Sequence, residues 1–240
     1  MEAGIGVAAG EGFRIKYVVA DIQSSPAGAL AAAQKLVDQD HVFAVIALSG
    51  LTFSASNYLT SRHVPVVGAA IDSTEWITSS NMFSITGTQD FTKVESTYGL
   101  VFRKLGVTDL GALGYGIVPA SADATKDAAV SAHAVGIKIG YVNAEFPLFS
   151  TNVGPVALAM KAAGVDGLIT SIETNASFAL ITALKQQGAD ARGALFPTGY
   201  AGADNCFWVT RFSGSSFHFV AGADPVCGTI LPGKSDSSPS

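Results

Sequence analysis

The stretch VVADIQSSPAGALAAAQKLVDQDHVFAVIALSGLTFSASNYLTSRHVPVVGAAID, residues 18–72, alternates two kinds of segment. Ala-rich runs of helical period cover residues 26–38 and 53–62, and short β-branched apolar runs cover 42–47 and 65–68. Ser25 offers a capping hydroxyl to the first helix, and Pro26 suits a first turn where its missing N–H costs nothing. The apolar runs are too short for helices and too apolar for strands with one wet face, so they read as strands covered on both sides. Helix, strand, helix, strand in this order is the mark of βαβ units around a parallel sheet. The stretch therefore sets the fold class as α/β.

The same alternation extends outward in both directions. Residues 14–20 (RIKYVVA), 110–115 (LGALGY), 137–142 (IKIGYV), 167–172 (GLITSI) and 192–196 (RGALF) read as further strands. Residues 92–105, 122–134, 153–163 and 176–187 read as helices, and Gly106, Gly136, Gly164 and Gly188 each follow one of them. A glycine just past a helical run supplies the left-handed residue that ends it. The series divides into an N-terminal lobe over 1–107 and a C-terminal lobe of like architecture over 108–204, two Rossmann-like halves rather than one broad sheet. Residues 205–230 break the pattern with an aromatic, Cys-bearing segment that returns toward the hinge, and 231–240 read as a disordered tail.

Composition removes several function classes. Hydrophobic residues make up 48% of the 240 and charged residues 14%, so a strongly charged disordered chain is excluded. A formal charge of -5 leaves no footprint for phosphate backbones, and nucleic acid is not an expected partner. Mean hydropathy is +0.37, yet the apolar run over 42–48 ends at Ser49, far short of the roughly 18 residues that span a bilayer. The N-terminus carries Glu2 and no basic stretch ahead of an apolar one, so it does not read as a secretory signal.

The residues that carry chemistry are sparse. Gly4, Gly6 and Gly10 are one position off the dinucleotide fingerprint and follow no strand, so a turn is the better reading and no cofactor is expected. No phosphate loop, nucleophile elbow or zinc-protease motif occurs, and His41, His63, His133 and His218 have no metal-ligand partner at helical spacing. The chain does not read as an enzyme. In open α/β sheets ligands sit beyond the carboxyl ends of the strands. Here those loops hold hydroxyls and small residues, which suit a small solute, and a cluster of N–H groups opening a helix is a natural seat for a carboxylate.

With these residues in view, the order of elements resembles the type I periplasmic solute-binding proteins of the branched-chain amino-acid (Leu/Ile/Val) ABC transporter type. The likeness rests on Asp21 ending a strand, "DQDHVFAVIA" entering a Ser/Gly turn, "VPVVGAA" entering a second loop, then GALGYG and AMKAAGVDGLITSIETNASFALITALKQQG, over roughly residues 10–200. It implies two lobes joined by a hinge, with a small polar ligand (amino acid, amide or small carboxylate) held between them outside the cytoplasm and passed to an ABC permease. Ser49 and Gly50 then match the turn that holds a ligand carboxylate, and Ala69, Ala70 and Asp72 the next ligand loop. Asp72 stands where the family usually has a hydroxyl. Ser121, Thr174 and Thr198 fall near ligand positions of the second lobe, with Tyr200 beside them. Thr198-Gly199-Tyr200 replaces the acid that commonly receives an ammonium, and Glu173 is the substitute from the neighbouring strand. Phe91, Tyr115 and Tyr200 are the aromatic candidates for an apolar wall, with core packing the main role of Tyr115. The family's first strand and helix have no room ahead of residue 14, and the chain stops after Cys227 where the family returns to its first lobe, so it reads as truncated at both ends. The competing readings are an α/β enzyme of dehydrogenase-like or hydrolase type and a degenerate fragment without function.

Cys206 and Cys227 are the only cysteines, and their spacing of 21 fits neither zinc nor a redox motif. A disulfide or two free thiols remain on spacing alone. An exported chain favours the disulfide, which would close a loop of about 20 residues and contribute about 3 kcal/mol. Protein made in an oxidising compartment should lose two hydrogens by mass spectrometry and take up no alkylating reagent. Two readily alkylated thiols in that material would refute the pairing.

Overall fold

The computed structural model describes residues 6, 10–69, 73–85, 93–189, 191–195, 206–207, 210–213, 216–219 and 224–233. Helix α1 (Pro26–Gln34) begins where expected, with Pro26 in its first turn and the Ser25 hydroxyl accepting from Gly28 N–H at 3.0 Å. A single wider turn, Lys35–Gln39, continues it. Strand β1 (Val45–Ala47), α2 (Phe53–Ser61), β2 (Val66–Gly68), the short α3 (Glu75–Thr78) and β3 (Met82–Ser84) follow. The strands form a three-stranded parallel sheet in the order β1-β2-β3.

Next come α4 (Thr97–Lys104), β4 (Asp109–Tyr115), α5 (Pro119–Ala134), β5 (Lys138–Phe146), α6 (Gly154–Ala163), β6 (Gly167–Ser171), α7 (Thr174–Gln186) and β7 (Gly193–Leu195). Their strands form a second, four-stranded parallel sheet, β5-β4-β6-β7. The glycines placed after the helices by sequence all take the left-handed conformation, Gly106 at φ 77°, Gly136 at 86°, Gly164 at 78° and Gly188 at 71°. The α/β class with parallel sheets flanked by helices is thus realised.

Two expectations need correction, and two short elements went unread. Residues 14–20 form no strand, because a strand exists only within a ladder and no described strand pairs with this segment. The first sheet is not covered on both faces: Ile46, Val67 and Phe83 lie in register across it and are 57%, 40% and 54% exposed. α3 and β3 escaped the sequence reading because elements of four and three residues carry too little periodicity to register.

Burial shows where each helix belongs. Val66, Leu59, Ala55, Trp76 and Met82 form the core of the first sheet. α4 precedes residue 107, yet its Tyr98 and Phe102 pack with Leu110, Ala112, Ala128 and Ile169 of the second sheet and α5. Its apolar side chains find their cover there. Beyond β7, β8 (Cys206–Phe207) pairs antiparallel with β11 (Val226–Cys227), and β9 (Thr210–Ser213) with β10 (Ser216–Phe219). A disulfide joins Cys206 to Cys227. The chain then reaches back to the entrance of α4: Glu95 and Ile230 form an antiparallel bridge, and Ser96 N–H donates to Thr229 C=O at 2.9 Å.

The far end of the second sheet is clamped by one carboxylate. Asp166 accepts Thr108 N–H, Thr108 O–H and Asp109 N–H, each at 2.8 Å, and meets the Arg192 guanidinium at 3.0 Å. Burial pushes its pKa up, but these hydrogen bonds and Arg192 outweigh it and hold the carboxyl below its ordinary value. A depressed folded-state pKa contributes stability that is full above the unfolded-state value and lost as pH falls through the folded one. Asp166→Asn should therefore cost about 1–3 kcal/mol near neutrality and progressively less in acid. Urea unfolding from pH 7 down to pH 3 checks this, and a pH-independent difference between the two proteins would refute it.

Candidate functional site

The end of β4 organises a cleft. Tyr115 closes that strand, its ring stacked on Phe146 of β5 at 6.3 Å between centroids and 20° between planes. Ser121, in the first turn of α5, accepts Tyr115 N–H at 2.7 Å and donates its own O–H to Ser171 C=O at the end of β6. One hydroxyl thus ties the ends of two adjacent strands to the helix that follows the first. The Tyr115 hydroxyl in turn accepts Glu173 N–H at 3.1 Å, which fixes the loop between β6 and α7.

These groups line one side of a cleft of about 420 Å³. The side belonging to the second sheet is Tyr115, Val118, Ala120, Ser121 and Ala124 after β4, Leu148 and Phe149 after β5, and Ser171, Ile172 and Glu173 after β6. Ile22 and Ser24 before α1, the turn Ser49-Gly50-Leu51 after β1, and Tyr98 of α4 complete it. The cleft therefore lies beyond the carboxyl ends of strands from both sheets, where ligands bind in open α/β folds. Its wall is mostly apolar, with serine hydroxyls and a single charged side chain, Glu173.

Most of the expected residues take definite places. Ser49 and Gly50 line the cleft, and the Ser49 hydroxyl accepts Leu51 N–H at 3.1 Å, so that N–H is already used and is not free for a ligand. Ser121 lines the cleft, but its hydroxyl is engaged within the protein as both donor and acceptor. Glu173 lines the cleft with its side chain exposed. Tyr115 combines core packing with a place on the wall. Ala69, just past β2, and Thr174, the first residue of α7, do not line it. Ala70, Asp72, Phe91, Thr198 and Tyr200 lie outside the described residues. Among the described residues no cluster of His, Cys, Asp or Glu is able to hold a metal ion.

The sequence reading missed Leu148, Phe149 and Tyr98. Phe149 follows a long strand in a segment without helical or strand period, so nothing in its neighbours marks it. Its backbone sits at φ 59°, unusual for a side chain with a Cβ, and the ring is 49% exposed.

Electrostatics at Tyr115 are unequal. Burial raises its pKa, the Glu173 N–H lowers it, the Glu173 charge raises it and the Phe149 N–H lowers it, and the balance is upward. The phenol stays protonated at any physiological pH. Ser171 Oγ is buried with no hydrogen-bond partner among the described residues.

A family model described as periplasmic binding protein matches residues 2–205. The chain belongs to that family. No curated protein sequence matches it. As a periplasmic binding protein it is similar in fold to solved structures at low identity. The leucine binding protein LivK of Thermotoga maritima aligns with a TM-score of 0.67 and 17% identity, over 84% of this chain and 58% of that one. The substrate-binding periplasmic protein of Ralstonia solanacearum gives 0.68 and 19%, over 81% and 55%. A solute binding protein of an ABC transporter from Rhodopseudomonas palustris BisB5, in complex with 3,4-dihydroxy benzoic acid, gives 0.61 and 19%, over 77% and 51%. The chain spans about half the length of these structures.

The hydrogen bonds at Ser121 give this family member a residue whose loss acts on stability rather than on a ligand. Ser121→Ala removes the hydroxyl partner of Tyr115 N–H and of Ser171 C=O, and should cost about 1–3 kcal/mol. Thermal and urea unfolding measure it; an unchanged midpoint would show that the hydroxyl holds nothing together.

Proposed function

We propose that this periplasmic binding protein captures a small polar solute between its two lobes outside the cytoplasm and delivers it to an ABC permease. The observation that carries this reading is the cleft itself. It is of ligand size, it lies beyond strand ends of both sheets, and it offers hydroxyls on an apolar wall. Among the described lining residues no serine is paired with a histidine or other base, so nothing there resembles an activated nucleophile. Among the described residues no helix is long and apolar enough to cross a membrane.

The solute class follows from what lines the cleft. Aromatic and aliphatic walls suit an apolar body, and the hydroxyls suit one polar end. Amino acids, amides and small carboxylates share that build, as do the leucine and dihydroxybenzoic acid named for the similar structures. In the first lobe Ser49 holds the polar end. Its oxygen already accepts Leu51 N–H, so its O–H is the group left to donate.

A panel of amino acids, amides, small carboxylates and nucleotide cofactors, tested by thermal shift and calorimetry, decides this reading. A solute should raise the midpoint by mass action, and Ser49→Ala should weaken its binding about ten- to a hundred-fold. Binding of a nucleotide cofactor alone would move the protein to an α/β enzyme, and no binding at all would end the proposal.

A further inference from the structure

Parallel sheets are covered on both faces, and the second sheet obeys: Leu110 and Ala112 of β4 pack in one core, Leu113 and Tyr115 in another. The first sheet does not. On one face Val66 and Met82 are buried with Ala33 of α1, Ala55 and Leu59 of α2, and Trp76 of α3. Side chains alternate along a strand, so the residues between these belong to the other face. There Ile46, Val67 and Phe83 stand in register across β1, β2 and β3. Ile85 N–H donates to Gly68 C=O at 2.8 Å, which carries the ladder one step further. Leu48 and Ile85, two residues past Ile46 and Phe83, extend the same face and are 66% and 71% exposed, more than any residue of the first row.

Area and charge together select what covers this face. Five side chains so exposed present on the order of 500 Å² of apolar surface in one patch, the upper end of what monomeric proteins carry. Two such patches face to face remove roughly 1,000 Å² from water, the least that a specific interface needs. Residues 42–51, 64–71 and 77–89, which contain the three strands, hold no Lys, Arg, Asp or Glu, although the chain has a formal charge of -5. A partner with a charged face would leave its ions unpaired here, and these stretches offer no cation to a lipid headgroup. A second copy brings the same uncharged face. A two-fold contact through it is self-complementary and sets no like charges against each other, even between two anionic molecules.

We infer that the open face of the first sheet, Ile46, Leu48, Val67, Phe83 and Ile85, is the interface of a two-fold homodimer in which two three-stranded sheets pack face to face. The second copy gives β1, β2 and β3 the cover that the helices give only to the side of Val66 and Met82. Sheets stacked in this way lie about 10 Å apart with their inner side chains interleaved, and five aliphatic and aromatic side chains from each copy supply that layer. The inference stands apart from solute capture: it concerns a surface whose five residues do not line the cleft.

Sedimentation velocity on the full chain over a dilution series tests this, paired with hydroxyl-radical footprinting of the same samples. The chain should sediment at twice its 24.5 kDa mass and dissociate on dilution. Ile46→Lys and, separately, Phe83→Lys should each raise the dissociation constant at least about ten-fold, because the two-fold axis buries the new charge twice. Leu158→Lys, on an exposed residue of α6, should leave it unchanged. Footprinting needs no variant and decides the matter if the lysine proteins do not fold. Oxidation of Leu48, Phe83 and Ile85 should rise as the dimer dissociates, while that of Leu158 stays constant. A monomer at every concentration would overturn the inference: with the three residues protected, another part of the chain covers the face, and with them oxidised, nothing does. A dimer that survives both lysine substitutions, or that forms without protecting the three residues, would place the contact elsewhere and overturn it as well. Growth into aggregates without a dimer plateau, or a monomer captured by phosphatidylcholine vesicles, would have the same consequence.

Discussion

Everything at the cleft depends on β4 being buried on both faces. All seven residues of Asp109–Tyr115 are shielded from solvent, with β5 and β6 on either side and helices above and below. Helices come that close only because the strand is thin. A Cβ on Gly111 would press on Met160 and Val165, and one on Gly114 would collide with the Thr125 hydroxyl and Ser121 C=O. The absence of a side chain at Gly114 lets the first turn of α5 lie against the strand, and that contact places the Ser121 hydroxyl at Tyr115 N–H. The strand therefore ends at a defined point, with its last ring held by stacking and its hydroxyl held by the loop after β6.

This arrangement separates hydroxyls whose hydrogen is spent inside the fold from hydroxyls that only accept there. Ser121 satisfies two backbone groups at once and has little to give outward. Asp166 does the same at the opposite end of the sheet. Ser49 and Tyr115 are each used on the acceptor side only. The difference is one of valence: a hydroxyl carries one hydrogen, which Ser121 gives to Ser171 C=O, while among the described residues none accepts that of Ser49 or Tyr115. Two serines lining opposite sides of one cleft are thus bonded differently.

The sequence announced the parallel sheets because β-branched runs and Ala-rich runs alternate with glycines at the helix ends, and each of those signals is local. Ser49 and Gly50 were also legible, since they follow a strand and open a helix. Leu148, Phe149 and Tyr98 were not. Their place on the cleft wall comes from how β5 and α4 sit on the second sheet, and no spacing within either segment encodes it. Ser121 shows the opposite error: proximity to the cleft was readable, but the partners of its hydroxyl, 6 and 50 residues away, were not. The segment over 14–20 failed for a further reason. Alternating apolar residues mark the capacity to form a strand, and only a partner edge converts it into one.

The two sheets contribute unequally to the cleft, and their packing explains why. Strands of the first sheet are three residues long, and the row Ile46, Val67 and Phe83 leaves one of its faces largely open to solvent. The second has a seven-residue strand with no exposed residue and carries most of the wall. Local opening is cheaper where fewer apolar contacts must be broken, so the turn bearing Ser49 belongs to the softer side and the loops around Tyr115 to the firmer one.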